Sequence, residues 1–313
     1  MHKLAAVVFL AATVIGCEKQ PSKLDDVGQP MPKALQIDSV AAASADHSGS
    51  VEDRLTRLEI ELAKNREALG FLNQVYGQQK QQMEAEAAKE HAPDAMFAVP
   101  VAGDIKAGML EGPATAQVTI VKAFDFAFPY CMQVNDMMTE LVKEYPGKVR
   151  VVYKNLVVHP DSAMPGHLAS CAAAKQGKYK EFKRAFWDKA FTPYANSRGA
   201  EAAAMGKDNI LAFSKELGLD TAKLAADMDG EECKQLIAQD MGELEPFQVG
   251  STPAFFINGR IVVGALPKPA FKKLIDEELA KAEKSGVSGD YYERVVIAKG
   301  ETKFRSKKDP KPQ

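Results

Sequence analysis

The 313 residues are short of several things, and each scarcity excludes something. Four cysteines are too few for a disulfide-dense scaffold, so each is read singly. A formal net charge of −2 leaves no bulk basic footprint and gives no ground for nucleic-acid binding. The apolar run from Leu4 to Ile15 is too short to span a bilayer. Gly-rich phosphate loops, paired carboxylates and a Ser-His-Asp arrangement are not recognisable. The single tryptophan, Trp187, sits with Phe182, Phe186 and Phe191 at helical spacing and reads as core. What is present is 46% hydrophobic content, enough for one large domain or two modest ones.

The chain opens with His2 and Lys3 as a short basic segment ahead of the apolar run, the pattern of a secretory signal. Val14-Ile15-Gly16-Cys17 resembles the bacterial lipobox, whose cysteine is lipidated and becomes the mature N-terminus. Residues 1–16 are therefore read as a lipoprotein signal peptide. Cys17 is read as the lipidated residue that anchors the protein to a membrane. The rest is exported to a compartment where disulfides persist. Glu18 carries no obvious inner-membrane retention signal, which points to a periplasm-facing envelope lipoprotein in the outer rather than the inner membrane. Setting Cys17 aside leaves Cys131, Cys171 and Cys233, an odd number, so at least one stays free or pairs between chains.

Residues 17–49 carry scattered Pro, Gly, Ser and Asp without period and read as a flexible tether. From Ser50, with Asp53 as capping-box partner, the texture changes. Val51, Leu55, Leu58, Leu62, Leu69, Leu72, Tyr76 and Met83 recur at heptad spacing, with Asn65 and Gln79 on the same seam. The pattern predicts a coiled-coil helix over 50–90, about 50 Å long over its heptads, that makes a homo-oligomer through 50–83. The other reading is one amphipathic helix folded against its own domain. Residues 84–99 read as a fading helix and a linker.

The β-branched run at Val118-Thr119-Ile120-Val121 predicts a buried strand, and Pro129 opens a helix to about residue 145. Residues 148–158 read as a second strand, parallel to the first because a helix joins them. An Ala-rich helical insertion follows over about 161–244. Ala254 to Ile257, a turn at Asn258-Gly259 and Arg260 to Gly264 predict a hairpin. A helix then runs to about Lys284, and 285–313 reads as a basic surface extension ending in a loose tail.

Four stretches carry a resemblance. Gly112-Pro113-Ala114-Thr115-Ala116 leads into the first strand, and Asp125-Phe126-Ala127-Phe128-Pro129-Tyr130-Cys131 follows it. Asn155 to Ala163 contains His159-Pro160, and Gly250-Ser251-Thr252-Pro253-Ala254-Phe255-Phe256 precedes Asn258-Gly259. In this order they resemble the DsbA-like branch of the thioredoxin superfamily, over about 100–284. The resemblance implies an α/β thioredoxin fold with a helical insertion, here preceded by the long N-terminal helix. It also implies a cis Pro253 facing the turn, and a client polypeptide pairing beside it like an added strand. Thr252, Pro253 and Tyr130 are the residues it assigns to substrate docking.

The same resemblance places Cys131 at the family's second, resolving cysteine and Phe128 at the position of the attacking one. Thiol exchange needs both an attacking thiolate and a thiol that resolves the mixed disulfide. The reading is a redox-impaired protein that binds partner polypeptides, with no cofactor. The alternative is an atypical thiol-disulfide oxidoreductase or isomerase using Cys131 alone, or Cys131 paired with Cys171 or Cys233. A structural disulfide between Cys171 and Cys233 and a pair of buried thiols remain equally open. His167 and Cys171 share the i, i+4 spacing of metal ligands, but no third ligand matches, so no metal site is read. His159 is expected at a loop cap or near the surface.

Overall fold

The structure, a computed structural model, describes residues 46–311 apart from residue 288. The expected signal peptide, Cys17 and most of the expected tether lie outside the described residues. Two compact units meet in sequence between Tyr76 and Gly77. Helix α1, Val51–Lys89, begins in the first and ends in the second. Its start is a capping box in which the Asp53 N–H donates to Ser50 Oγ at 3.2 Å and the Ser50 N–H donates to Asp53 Oδ2 at 2.9 Å. No residue of α1 is buried.

The second unit is built on a five-stranded sheet in the order β1-β3-β2-β4-β5. After α2, Ala102–Ala107, comes β1, Leu110–Glu111, and then β2, Val118–Phe124, buried along its whole length. Helices α3, Pro129–Gln133, and α4, Asn135–Glu144, lead to β3, Val149–Asn155, which pairs parallel to β2 with Phe124 opposite Asn155. The expected single helix over 129–145 is thus two, meeting at Val134. Short β1 runs antiparallel to β3, at one edge, and was hidden in a two-residue stretch without alternation.

The insertion is six helices: α5 (Pro160–Ala174), α6 (Tyr179–Phe186), α7 (Thr192–Asn196), α8 (Lys207–Glu216), α9 (Thr221–Asp229) and α10 (Glu231–Leu244). Helix α9 has just two buried anchors, Leu224 and Met228, too few to show as a period, yet Asp220 caps it by accepting from the Lys223 N–H at 3.0 Å. The hairpin β4, Ala254–Ile257, and β5, Arg260–Val263, turns at Asn258 and Gly259, both at positive φ (46° and 85°). A Cβ at residue 259 would come within 2.9 Å of the Phe97 backbone, so only glycine fits. Helix α11, Lys268–Ser285, closes the domain.

Alternating residues send the sheet's side chains to two cores. Val118, Ile120, Phe124, Val151, Tyr153, Phe255 and Ile257 face the helical insertion and α11. Val121, Ala123, Val152, Ala254 and Phe256 face the other way, onto Phe97, Val99, Tyr292 and Val296. This second core corrects two expectations. Residues 91–99 are no linker: Ala92, Ala95, Phe97, Ala98 and Val99 are buried. Nor is 285–311 a loose surface tail. Tyr291, Tyr292 and Val296 are buried, and the Tyr292 hydroxyl donates to Val99 O at 2.8 Å. The buried Arg150 reaches across to Asp290 at 2.9 Å while its Nε donates to Thr119 Oγ1 at 2.8 Å. The basic run is occupied too: Arg305 pairs with Glu301 and Asp94, Lys307 with Glu90, and Lys311 with Asp94.

Candidate functional site

β2 hands the chain to a tight turn, Asp125 to Phe128, and α3 starts at Pro129, where a missing N–H costs nothing. Asp125 holds this turn together. Its Oδ1 accepts the Ala127 N–H at 2.6 Å, and its Oδ2 accepts the Val158 and His159 N–H groups at 2.6 and 2.8 Å. His159 Nδ1 lies 3.3 Å from the same oxygen. One buried carboxyl group thereby fastens the turn to the loop after β3.

Phe128 is the extended N-cap residue of α3. Its ring stacks on His159, with centroids 5.8 Å apart and planes 16° from parallel, and meets the Tyr130 ring at 5.5 Å. Tyr130 is 44% exposed. Beyond His159 the surface falls into a groove of about 550 Å³ lined by Val158, Pro165, Tyr194 and Met205. The face where a thiol would attack is therefore aromatic.

Cys131 lies beneath it, fully buried, and is the free cysteine among the described residues. Its Sγ accepts the Asp125 N–H at 3.5 Å, and the Thr252 side chain lies beside it. Thr252 joins Pro253 through a cis peptide bond. The structure thus brings Phe128, Tyr130, Cys131, Thr252 and Pro253 to one place. Burial pushes the Cys131 thiol up, and the Lys122 ammonium, the Asp125 N–H and Thr252 pull it back only in part. Cys171 and Cys233 are bonded to each other, tying α5 to α10, so neither is a partner for Cys131.

Lys122, His167 and Asn155 also support the turn, in roles their place in the sequence did not suggest. Lys122 is buried inside β2, and its ammonium donates to Cys131 O at 3.3 Å. Burial pushes its pKa down to about 7, with Cys131 working the other way. A lysine in the middle of an apolar strand was the available signal. His167, on α5, is buried between two fixed partners: Nε2 accepts the Phe126 N–H at 3.3 Å, so Nδ1 carries the proton and donates to Asn155 Oδ1 at 2.6 Å. Burial pushes His167 down to about 4. With Cys171 in a disulfide, the i, i+4 spacing of these two serves packing. His159 is half exposed, at the N-cap of α5.

Asn155 leads onward to a second polar cluster. Its Nδ2 donates to Asp240 Oδ2 at 2.6 Å, and Asp240, Asp104 and Glu243 converge on the Lys154 ammonium at 2.9, 2.7 and 2.6 Å. Among the described residues these three carboxyl groups are the set close enough to share a metal ion. The lysine fills the middle of that set, so the residues present do not fit a metal.

A family model described as thioredoxin matches residues 104–277. Among curated proteins, the Na(+)/H(+) antiporter NhaA of Herminiimonas arsenicoxydans is 28% identical over 156 residues, 50% of this chain and 23% of that protein. NhaA 3 of Salinispora tropica is 32% identical over 154 residues, 48% of this chain and 22% of that protein. The chain therefore spans less than a quarter of the length of these relatives. Among solved structures, a thioredoxin-like oxidoreductase from Silicibacter pomeroyi is 25% identical with a TM-score of 0.43, covering 54% of this chain and 90% of that one. BdbD from Bacillus subtilis is 20% identical with a TM-score of 0.47, covering 60% and 100%. ScsC from Proteus mirabilis is 17% identical with a TM-score of 0.44, covering 75% and 100%.

Proposed function

Because this chain belongs to the thioredoxin family, and carries that fold with a DsbA-like helical insertion, we propose that it docks partner polypeptides without exchanging disulfides with them. One observation carries the reading. The turn that should present an attacking thiol presents the Phe128 ring, and the thiol behind it is sealed and has no second free thiol among the described residues to resolve a mixed disulfide. Docking is supported by what remains: Thr252 beside cis Pro253, the exposed Tyr130 ring, and the aromatic rim of Phe128 and His159. An extended segment can add its backbone at such a loop and set a side chain on the rim.

The same proposal places the protein in the bacterial cell envelope, exported and held by acyl chains on Cys17. No helix among the described residues is long and apolar enough to cross a membrane. The second reading, an atypical oxidoreductase working through Cys131 alone, is favoured by the three groups that draw the thiol toward its thiolate, Lys122, the Asp125 N–H and Thr252.

A redox assay separates the two. The wild type is expected to show no turnover in disulfide reduction or dithiol oxidation, and Phe128→Cys to gain some. A reduced, unfolded polypeptide should bind the wild type and the Cys131→Ser variant equally, and Tyr130→Ala more weakly. Strong wild-type turnover that disappears in Cys131→Ser would sink the docking reading.

A further inference from the structure

We propose that α1 assembles with copies of itself as a parallel coiled coil in exact register, whatever the docking face binds. Its seam has Leu55, Leu62, Leu69 and Tyr76 at one core position of the heptad, and Val51, Leu58, Asn65 and Leu72 at the other. Every one of these residues is exposed, the apolar ones from 46% at Leu69 to 76% at Val51. Removing each leucine from water would contribute about 1.5–3 kcal/mol. Nothing in the chain's own helix does so.

The flanking charges identify the occupant as a second copy and fix its direction. In a parallel pair, a residue at the last heptad position faces the residue five places later on the neighbouring helix. In register, Arg54 faces the partner copy's residue 59, a glutamate, and Glu61 faces residue 66, an arginine. Both contacts are of opposite sign. A slip of one heptad in one direction sets Arg54 on Arg66, and a slip in the other sets Glu61 on Glu59. Among the described residues no intrachain ion pair uses Arg54, Glu59 or Arg66. Glu61 has an exposed contact with Lys64 at 2.8 Å, of the kind worth little.

The polar seam residues exclude the antiparallel alternative. An antiparallel pair sets one core position against the other. It would bury Asn65 against an apolar residue, because every residue at the opposing position from Leu55 to Tyr76 is apolar. In parallel register Asn65 meets Asn65 and Gln79 meets Gln79, and each amide finds a donor and an acceptor.

Sedimentation equilibrium of the full chain, with Cys17→Ser so that no acyl chain contributes, reads the assembly. The wild type is expected to be oligomeric and the Leu58→Glu/Leu72→Glu variant monomeric with an unchanged near-ultraviolet spectrum. Glu59→Arg/Arg66→Glu should weaken self-association on the order of tenfold, and so should Arg54→Glu/Glu61→Arg. An equal mixture of those two variants should restore it, because each then faces opposite charges. Leu58→Cys should cross-link to its own copy on oxidation. A monomeric wild type, reversed variants that associate as tightly as the wild type, or no cross-link at residue 58 would each overturn the proposal.

Discussion

Lys122 on β2 and Lys154 on β3 are both buried to 1% or less, one on each face of the same sheet, and their surroundings differ completely. Lys154 has three carboxyl groups within 2.9 Å. Burial works against its charge, but Asp104 and Asp240 raise its pKa above the ordinary lysine value. Burial and Asp240 push Asp104 up to about 8, so it holds a proton at neutral pH and the cluster is not overloaded with negative charge. Lys122 has the Cys131 carbonyl and lies over two rings, Phe124 and Tyr153, each centroid 5.8 Å away. Burial brings its pKa down to about 7. The difference teaches which charge holds the fold and which is carried by it. The paired lysine ties α2, β3 and α10 together. The poorly paired one sits under the turn, a costly placement of the kind that clusters at functional sites.

Breaking each lysine should therefore have opposite signs. Lys154→Met leaves a buried cluster of carboxyl groups without its cation and is expected to cost about 3–5 kcal/mol in urea unfolding. A loss below about 1 kcal/mol would show that the cluster holds nothing. Lys122→Met is expected to stabilise the domain by about 2–4 kcal/mol near pH 7. The folded pKa of Lys122, about 7, lies below its ordinary 10.5. Its burial cost is thus present in full below pH 7 and fades as pH rises toward 10.5, and the gain in the variant should fade with it. A gain independent of pH would assign the effect to packing alone.

The smallest effect tests the connection between the two regions, which runs from Asp240 through Asn155 and His167 to the Phe126 N–H. His167 must stay neutral to accept that N–H. Its folded pKa, about 4, lies below the ordinary 6.5, so its contribution is complete above pH 6.5 and is lost as pH falls toward 4. About 2–3 kcal/mol should disappear over that range, together with the protection of Cys131 from alkylation. His167→Gln should flatten this acid limb, and an unchanged limb would place the acid sensitivity elsewhere.

The parts of the fold written in local chemistry were legible. The strand-turn-helix around Val118 to Cys131, the Thr252-Pro253 loop and the Asn258-Gly259 turn each depend on residue types that few other conformations tolerate. The second core was not legible, because Ala92, Phe97 and Val99 follow no helical or strand period and are buried only by what folds over them. Tyr291, Tyr292 and Val296 lay among glycines and lysines that read as a tail. At the site, Phe128 and Cys131 were visible through the resemblance of their turn to the family's motif. Asn155 and His167 were not, since a buried polar pair looks like any asparagine and histidine until both partners are placed.

The second core also bears on how much of the chain can stand by itself. Residues 104–277, the part shared with the wider family, leave out both Phe97 with Val99 and Tyr292 with Val296. Cut at those limits, Val121, Ala123, Val152 and Phe256 would face water, each large side chain forfeiting about 1.5–3 kcal/mol of a stability that rarely exceeds about 15. The flanks are walls of the domain and not appendages to it. The matched segment moved alone would carry a sheet with one side missing, so the segment that can stand by itself is longer than the segment that resembles the family.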